Sequence, residues 1–300
     1  MKREHKIKTM MGLHTEYIEY SNIVDGVCYD WGRLLPEMGI KMRPVVPGEV
    51  VFELGETGSG KTAMLQAIAK SAGIQPPKYP LALETLFCEL ELPGTLCYER
   101  FAAMQTGISC ADIMADYQQS YTRDDNERLA PYYTGLEHIK VCDSSRMSDG
   151  DLEELIDKHE TYFGIRPVIV IVDYVGLMEC EGAKRYERIT RSVQELKRTA
   201  RSTNTIIFCS SQVHRTGEDA AEHIGLHAAK DSSAIEDSGG VVFSINRDQA
   251  NPHYMRIEIL KSTKDGGGYG FDCNFGGANM QITPLSAPEP QGRDYADDLE

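Results

Sequence analysis

A length of 300 residues, 41% of them hydrophobic and 26% charged, predicts a globular protein with a fully buried core. The net charge of −15 argues against unspecific nucleic-acid coating, which normally needs a basic protein, but it is compatible with a local basic channel. The sequence has no recognisable signal peptide or membrane span, and its eight scattered cysteines include no C-x-x-C pair, so we expect reduced thiols in a cytoplasmic protein.

The first strong pattern along the chain is a phosphate-binding loop between a strand and a helix. Residues 50–54 form an apolar run typical of a strand, and residues 63–70 follow a helical pattern. A complete G-x-x-x-x-G-K-[ST] motif lies between them, formed by Gly55, Glu56, Thr57, Gly58, Ser59, Gly60, Lys61 and Thr62. In such a P-loop the backbone N–H groups surround the phosphates, the lysine reaches the β- and γ-phosphates, and the hydroxyl binds Mg²⁺. The motif therefore predicts a nucleotide site.

Predicted strands and helices alternate downstream of the P-loop. Apolar runs predict strands at residues 82–88, 138–143, 168–172, 205–210, 240–245 and 255–260, and helical patterns cover residues 93–107, 151–163 and 183–202. The run at 168–172 is β-branched throughout, which is typical of a central strand covered on both faces. We predict an α/β fold with a mostly parallel, doubly wound sheet flanked by helices and with ligands at the carboxyl ends of the strands.

Three polar side chains follow predicted strands and could supply what ATP hydrolysis needs beyond phosphate binding. Asp173 directly follows the run at 168–172, the position of a Walker B carboxylate that helps to hold the metal ion. Glu91 follows the strand at 82–88 and is a candidate for polarising the attacking water. Gln212 follows the strand at 205–210 and would place an amide near the γ-phosphate. Each residue alone also fits a turn or a helix start, so the prediction depends on the set.

Four segments in the same order resemble the RecA-like ATPase core of the DnaB-type replicative helicases of bacteria and phages. They are the P-loop, Glu89-Leu-Glu-Leu-Pro93, Ile171-Val-Asp-Tyr-Val-Gly-Leu-Met178 and Ser210-Ser-Gln-Val-His-Arg215. A fifth segment, Lys230-Asp-Ser-Ser-Ala-Ile-Glu-Asp237, is similar to the family's DNA-binding loop. The resemblance covers roughly residues 45–275 and implies a RecA-like P-loop NTPase core.

The resemblance implies a role for each matching residue, with ATP and Mg²⁺ as cofactors. Lys61 and Thr62 would bind phosphate and Mg²⁺, and Asp173 would be the Walker B acid. Glu91 would be the catalytic base, and Gln212 would be the sensor of the γ-phosphate. The candidates for contact with single-stranded DNA are Arg215, Lys230, Asp231 and Ser233.

Two departures from the family pattern concern the subunit interface and the N-terminus. The family usually carries a Lys-x-Arg pair that reaches the ATP bound by the neighbouring subunit. Here Thr263 replaces the arginine. We call Lys261, Lys264 and Arg247 the trans-acting candidates, because each could supply the positive charge at the neighbour's ATP. Residues 1–44 are too few for the primase-binding helical domain of full-length members, so we expect an N-terminal extension there and the ATPase core at residues 45–285. Residues 286–300 predict an acidic disordered tail that either aids solubility or docks on a basic partner.

The predicted function is a Mg²⁺-dependent ATPase that assembles as a ring, expected to be a hexamer, and translocates on single-stranded DNA to unwind duplex DNA. Its partners would be single-stranded DNA, further copies of the chain, and replication or recombination proteins in the cytoplasm of a bacterial or phage-infected cell. Two alternatives stay open. One is a recombinase-type or recombination-mediator ATPase that forms filaments on single-stranded DNA, and the other is a replication accessory protein switched by ATP.

Overall fold

A mixed β-sheet forms the centre of the protein. The computed structural model describes residues 9–24, 27–75, 81–119, 126–148, 150–180, 182, 184–213, 233–248, 250–263 and 265–285. The strands in chain order are β1 (Val50–Gly55), β2 (Thr85–Glu89), β3 (Ile139–Asp143), β4 (Met147–Ser148), β5 (Ile169–Asp173), β6 (Met178–Glu179), β7 (Ile206–Gln212), β8 (Val241–Arg247), β9 (Tyr254–Ser262), β10 (Tyr269–Gly276) and β11 (Gln281–Pro284).

The order of the strands determines which loops meet. Over the described ranges, nine strands form one sheet in the order β11-β10-β9-β8-β1-β7-β5-β2-β3. The six strands from β8 to β3 run parallel, whereas β9, β10 and β11 extend the sheet antiparallel beyond β8. The two-residue strands β4 and β6 pair separately. Because β1 lies between β7 and β8, the P-loop that follows β1 is near the carboxyl ends of several parallel strands.

Helices cover both faces of the sheet. They are α1 (Met10–Val24), α2 (Pro36–Lys41), α3 (Lys61–Ser71), α4 (Gly94–Thr106), α5 (Cys110–Gln119), α6 (Asn126–Leu129), α7 (Asp151–Phe163), α8 (Arg185–Thr203) and α9 (Ser233–Ser238). Left-handed residues end three of them, Gly107 after α4, Gly164 after α7 and Asn204 after α8, as expected at helix C-termini. In the part of the chain that the structure describes, no helix combines the length and apolar character needed to cross a bilayer.

The central strands are buried on both faces, which explains their unbroken apolar runs. Val51 on β1 packs in the same cluster as Phe208 on β7 and Leu65 on α3, on one side of the sheet. Val50 and Phe52 belong to the cluster on the opposite side, which also contains Ile189, Val193 and Leu196 from α8. Alternate residues of one strand therefore contact opposite cores, as the pleat of a strand requires.

The segment before the P-loop packs into the first of these cores. Trp31 has no exposed surface and makes edge-to-face contacts with Phe208 and Phe243, at centroid distances of 5.9 Å in both cases. Arg33 is also buried, and its guanidinium donates hydrogen bonds to the carbonyls of Ala72 and Leu81, both at 3.1 Å. This segment thereby covers the end of the P-loop helix.

This mainly parallel, helix-flanked sheet confirms the predicted fold class. The strands β10 and β11, which were not predicted, extend the sheet. The strand expected at 82–88 begins only at Thr85, because the N–H of Leu83 bonds to the carbonyl of Ala72 at the end of α3 rather than to a strand. The proposed tail at 286–300 lies outside the described residues. The domain limits at 44/45 and 285/286 stay predictions.

Candidate nucleotide-binding site

The P-loop connects the buried end of β1 to the start of α3. Its backbone uses glycine where other residues would be strained, because Gly58 and Gly60 have φ values of +78° and +100°. A side chain at Gly60 would also lie 2.7 Å from the terminal methyl of Met255. The first N–H groups of α3 are therefore preceded by a tight, glycine-dependent turn, which is the geometry that binds phosphate oxygens.

Side chains predicted to bind the nucleotide contact the loop itself. The ammonium of Lys61 donates to the carbonyl of Glu56 at 2.7 Å, and the amide of Gln212 donates to the hydroxyl of Thr57. Burial lowers the pKa of Lys61, and the negative charges of Glu53 and Asp173 oppose that effect. The strand pairing that places Gly55 opposite Gln212 brings the sensor candidate to the P-loop.

Asp173 ends β5 and is almost fully buried. Its Oδ1 atom accepts a hydrogen bond of 2.5 Å from the hydroxyl of Ser210, whereas Oδ2 has no hydrogen-bond partner among the described residues. A buried carboxylate oxygen without a donor is costly unless a cation or water satisfies it. A carboxylate and the half-buried hydroxyl of Thr62 are both oxygen ligands of the kind that Mg²⁺ prefers, so these residues fit the predicted metal ion.

A short turn after β2 carries Glu91. The buried Glu89 side chain accepts hydrogen bonds from the N–H groups of Glu91 and Leu92 at 3.1 and 2.9 Å, which fixes the turn. The N–H of Leu90 donates to the carbonyl of Asp173 at 3.0 Å, so the turn is held beside the end of β5. Glu91 itself is exposed at this edge of the sheet. Glu89 therefore positions the turn, and Glu91 is free to meet a water molecule.

The structure adds Glu53, a residue that sequence reasoning missed. Glu53 lies opposite Ser210, which bonds to Asp173, and Asp173 lies opposite Glu89, so three acids and a serine form one row across four strands. We call Glu53, Ser210, Asp173 and Glu89 the acidic row; each is at most 1% exposed. The only sequence signal for Glu53 is an acid that interrupts an apolar strand two residues before the P-loop.

Burial dominates the electrostatics of the acidic row. It raises the pKa of Glu53 well above the ordinary value, the charge of Asp173 raises it further, and Lys61 opposes both effects. Neither carboxyl oxygen of Glu53 has a hydrogen-bond partner within the described ranges. Burial likewise raises the pKa of Glu89 to about 7, partly offset by its backbone hydrogen bonds. Positive charge near this row would therefore be strongly favoured.

The trans-acting candidates occupy different places. The guanidinium of Arg247 donates to the carbonyl of Gly58 at 3.1 Å in the P-loop of the same chain, and it lies 4.7 Å from the ring centroid of Phe275. Lys261 donates to the backbone carbonyl of Glu236. Arg247 thus contacts the P-loop of its own chain, and the roles of Arg247 and Lys261 at a neighbour's nucleotide stay predictions.

Most of the residues predicted to contact DNA belong to segments that the structure does not describe. Arg215, Lys230 and Asp231 lie outside the described residues, as does the trans-acting candidate Lys264. Ser233 begins α9, but its side chain is outside the described part of the structure. β7 ends at Gln212 beside the P-loop, and Val213 alone separates it from residue 214, where the segment expected to bind DNA begins.

Comparison with known proteins relates both the sequence and the fold to one group of ATPases. Residues 42–266 match the family model described as the DnaB-like helicase C-terminal domain. The fold is similar to a solved structure described as an ATPase domain, with a TM-score of 0.75 and 18% identity over 94% of this chain and 100% of that chain. It is also similar to a solved DnaB-like replicative helicase, described with its interactions with primase, with a TM-score of 0.73 and 18% identity over 95% and 68% of the two chains. No curated protein matches the sequence significantly.

Proposed function

Because the chain belongs to the DnaB-like helicase C-terminal domain family, we propose that it is a Mg²⁺-dependent ATPase that translocates on single-stranded DNA and unwinds duplex DNA. One observation carries the proposal. The P-loop, the Ser210-bonded carboxylate of Asp173 and the turn that presents Glu91 meet at one edge of the sheet. A passive nucleotide switch needs the P-loop and a metal ligand, whereas hydrolysis also needs a group that activates water.

The residues divide the work of phosphoryl transfer. Lys61 supplies positive charge at the β- and γ-phosphates, and Thr62 and Asp173 are the side chains that would hold Mg²⁺. A Mg²⁺ ion held by these residues would supply positive charge against the negative charge that develops on the phosphate oxygens. Glu91 orients the attacking water and accepts its proton. Catalysis on this account depends on positioning and electrostatics, since the protein forms no covalent bond to the nucleotide.

Movement on DNA would begin at Gln212. This side chain contacts Thr57 of the P-loop and is separated by Val213 alone from residues 214–232, the segment in which Arg215, Lys230 and Asp231 are expected to meet DNA. Loss of the γ-phosphate would change the contacts of Gln212, and the change would pass directly into the segment that follows. We expect the motor to be a ring, most simply a hexamer, in which Lys261 or Lys264 reaches the neighbour's nucleotide.

The decisive experiment measures the ATPase rate with and without single-stranded DNA over a series of salt concentrations. We expect DNA to stimulate hydrolysis at low salt and the stimulation to fade as salt rises, because phosphate contacts release counterions. Lys61→Ala protein, assayed in parallel, reports any contaminating ATPase. Absence of stimulation at low salt would refute the translocase.

A second assay separates the proposed motor from the alternatives. Strand separation on a forked duplex, dependent on ATP and Mg²⁺, is expected of a helicase. Filaments on single-stranded DNA together with strand exchange would instead support the recombination ATPase. ATP-dependent binding to another replication protein without DNA-stimulated hydrolysis would support the accessory protein.

A further inference from the structure

Two cysteines face each other at the edge of the sheet that is farthest from β11. Cys88 on β2 is paired in parallel register with Cys142 on β3, the edge strand. Both side chains contact the same apolar cluster, with Cys88 inside it and Cys142 packed against it. Paired residues of neighbouring strands lie about 4.8 Å apart at Cα. That spacing falls within the range of about 4.4–6.8 Å that a disulfide spans.

The two thiols differ in reactivity. A hydrogen bond from Cys88 lowers the pKa of Cys142 to about 7, and Lys158 adds to this effect, whereas burial and the charge of Asp143 oppose it. The same hydrogen bond and burial raise the pKa of Cys88 well above its ordinary value. Cys142 is partly exposed, whereas Cys88 is buried. Because the thiolate is the nucleophile, Cys142 is the thiol that reacts first with a dissolved oxidant. Cys88 is then the thiol that attacks the oxidised sulfur of Cys142.

The other thiols lack this combination. Burial raises the pKa of Cys97 and of Cys273 to about 12, and it raises the pKa of Cys110 and of Cys209 as well. Cys142 thus stands apart among these cysteines in being both acidic and accessible, with a second thiol in contact.

We propose that Cys88 and Cys142 form an oxidation site at which a hydroperoxide converts the thiol pair into a disulfide and thereby slows ATP hydrolysis. The Cys142 thiolate attacks one oxygen of hydrogen peroxide, which breaks the O–O bond and gives the sulfenic acid and hydroxide. The Cys88 sulfur then attacks the Cys142 sulfur, and the Cys88 proton leaves with the sulfenic hydroxyl as water. Two thiols are oxidised to one disulfide, and the peroxide is reduced.

The effect on hydrolysis follows from the position of the pair. Cys88 directly precedes Glu89, whose carbonyl accepts from the N–H of Ser144 at 3.3 Å, and Asp143 accepts from the N–H of Gly94 at 2.9 Å. The turn that carries Glu91 is thus held between β3 and β5. A disulfide between Cys88 and Cys142 changes the spacing of β2 and β3, and it thereby shifts both ends of the turn that carries Glu91. The P-loop follows β1, which β7 and β5 separate from β2, so nucleotide binding is expected to survive.

The test treats the full chain with hydrogen peroxide, removes the oxidant, and applies three measurements. Peptide mapping by mass spectrometry should find the Cys88 and Cys142 peptides joined, with the loss of two hydrogen atoms. The ATPase kcat should fall about ten- to a hundredfold, as expected when a catalytic base is displaced by about 1 Å, and a thiol reductant should restore it. The affinity for a fluorescent ATP analogue should stay within about twofold.

Variants separate this site from general oxidation. Cys142→Ser and Cys88→Ala proteins should keep their activity in peroxide, whereas Cys110→Ser protein, which removes another partly exposed thiol, should lose activity like the unmodified chain. Oxidation of Cys142 to the sulfinic acid without a link to Cys88 would overturn the proposal. So would a linked protein with unchanged kcat. The effect on kcat rests on the proposed ATPase function; should the untreated chain not hydrolyse ATP, that function fails, while peptide mapping still decides the disulfide.

Discussion

Replacing Lys61 and replacing Glu91 are expected to have different effects on ATP affinity and turnover. Lys61→Ala should weaken ATP binding at least about tenfold and abolish turnover, because it removes the positive charge at the phosphates. Glu91→Gln should leave ATP affinity nearly unchanged and lower kcat about 10²- to 10⁴-fold, the usual contribution of a general base. Fluorescent-nucleotide titration and steady-state ATPase assays measure the two quantities. The exposed Glu127, replaced by Gln, serves as the control; wild-type hydrolysis by Glu91→Gln protein would refute the assignment.

Glu89 predicts a specific pH dependence of stability. Its pKa in the folded protein is about 7, above the value of about 4.3 in an unfolded chain. The folded protein therefore holds this proton more tightly, and the stabilisation is full below about pH 4.3 and is lost as the pH rises to about 7. Glu89→Gln keeps an oxygen for the N–H groups of Glu91 and Leu92 but removes the titration. The free energy of unfolding of the variant minus that of the wild type should thus increase from pH 5 to pH 8, because only the wild type loses this stabilisation.

Urea unfolding at both pH values measures that difference. Glu127→Gln protein controls for the change of an exposed acid and should follow the wild type across the pH range. Parallel pH profiles for wild type and Glu89→Gln protein would contradict the raised pKa.

The acidic row illustrates what the sequence could and could not predict about single residues. Asp173 was predictable because an acid at the end of a β-branched run has a known role beside a P-loop. The hydrogen bond from Ser210 to Asp173 was not, because it depends on β7 lying next to β5, a pairing that no local pattern encodes. Glu53 was missed for the same reason. In the sequence Glu53 is a single acidic residue within the apolar run of β1. Only the pairing of β1 with β7, which sets Glu53 opposite Ser210, places it in the acidic row.

Among the elements, the segment before the P-loop is expected to be part of the cooperative fold. Tyr29, Trp31 and Met38 have no exposed surface, and Arg33 bonds to the end of α3. Removing residues 1–26 should change Tm by only a few degrees, whereas removing residues 1–44 should destroy cooperative unfolding. Loss of each large buried side chain costs about 2–5 kcal/mol, which together exceeds the stability of a typical domain.

Thermal unfolding followed by circular dichroism compares the two truncated proteins. Trp31→Phe in the full chain is the matched control, since it keeps an aromatic ring in the core and should remain folded. A cooperative transition in the protein that starts at residue 45 would place the boundary of the folded unit where the sequence predicts it.

The elements that were predictable have long apolar runs, and those that were missed do not. β1, β5 and β7 are buried along nearly their full length, so composition alone identifies them. In β10, buried residues alternate with polar exposed ones, and β11 is four residues long with none of them fully buried, so neither forms an apolar run. β10 is stabilised by pairing with β9 and β11 by pairing with β10, contacts that form only when the sheet is assembled.

For the whole molecule, the proposed ring predicts that subunits do not hydrolyse ATP independently. If catalysis needs residues from the neighbour and proceeds in order around the ring, one inactive subunit should impair the active ones. A mixture of equal amounts of wild-type and Glu91→Gln protein should therefore show well under half of the wild-type ATPase rate with single-stranded DNA. Mixing with Glu127→Gln protein should give the wild-type rate. Activity strictly proportional to the wild-type fraction would contradict shared catalysis.

The place of β1 in the sheet also determines when the nucleotide site can form during synthesis. β1 ends at Gly55, but both of its neighbours come from the second half of the chain, the later one ending at Arg247. At about 5–20 residues per second, a ribosome needs roughly 10–40 s to pass between these two positions. During that interval an apolar strand and a glycine-rich loop lack the partners that bury them. ATP can therefore stabilise the chain only after β8 has been made, and until then the nucleotide cannot assist the folding of β1.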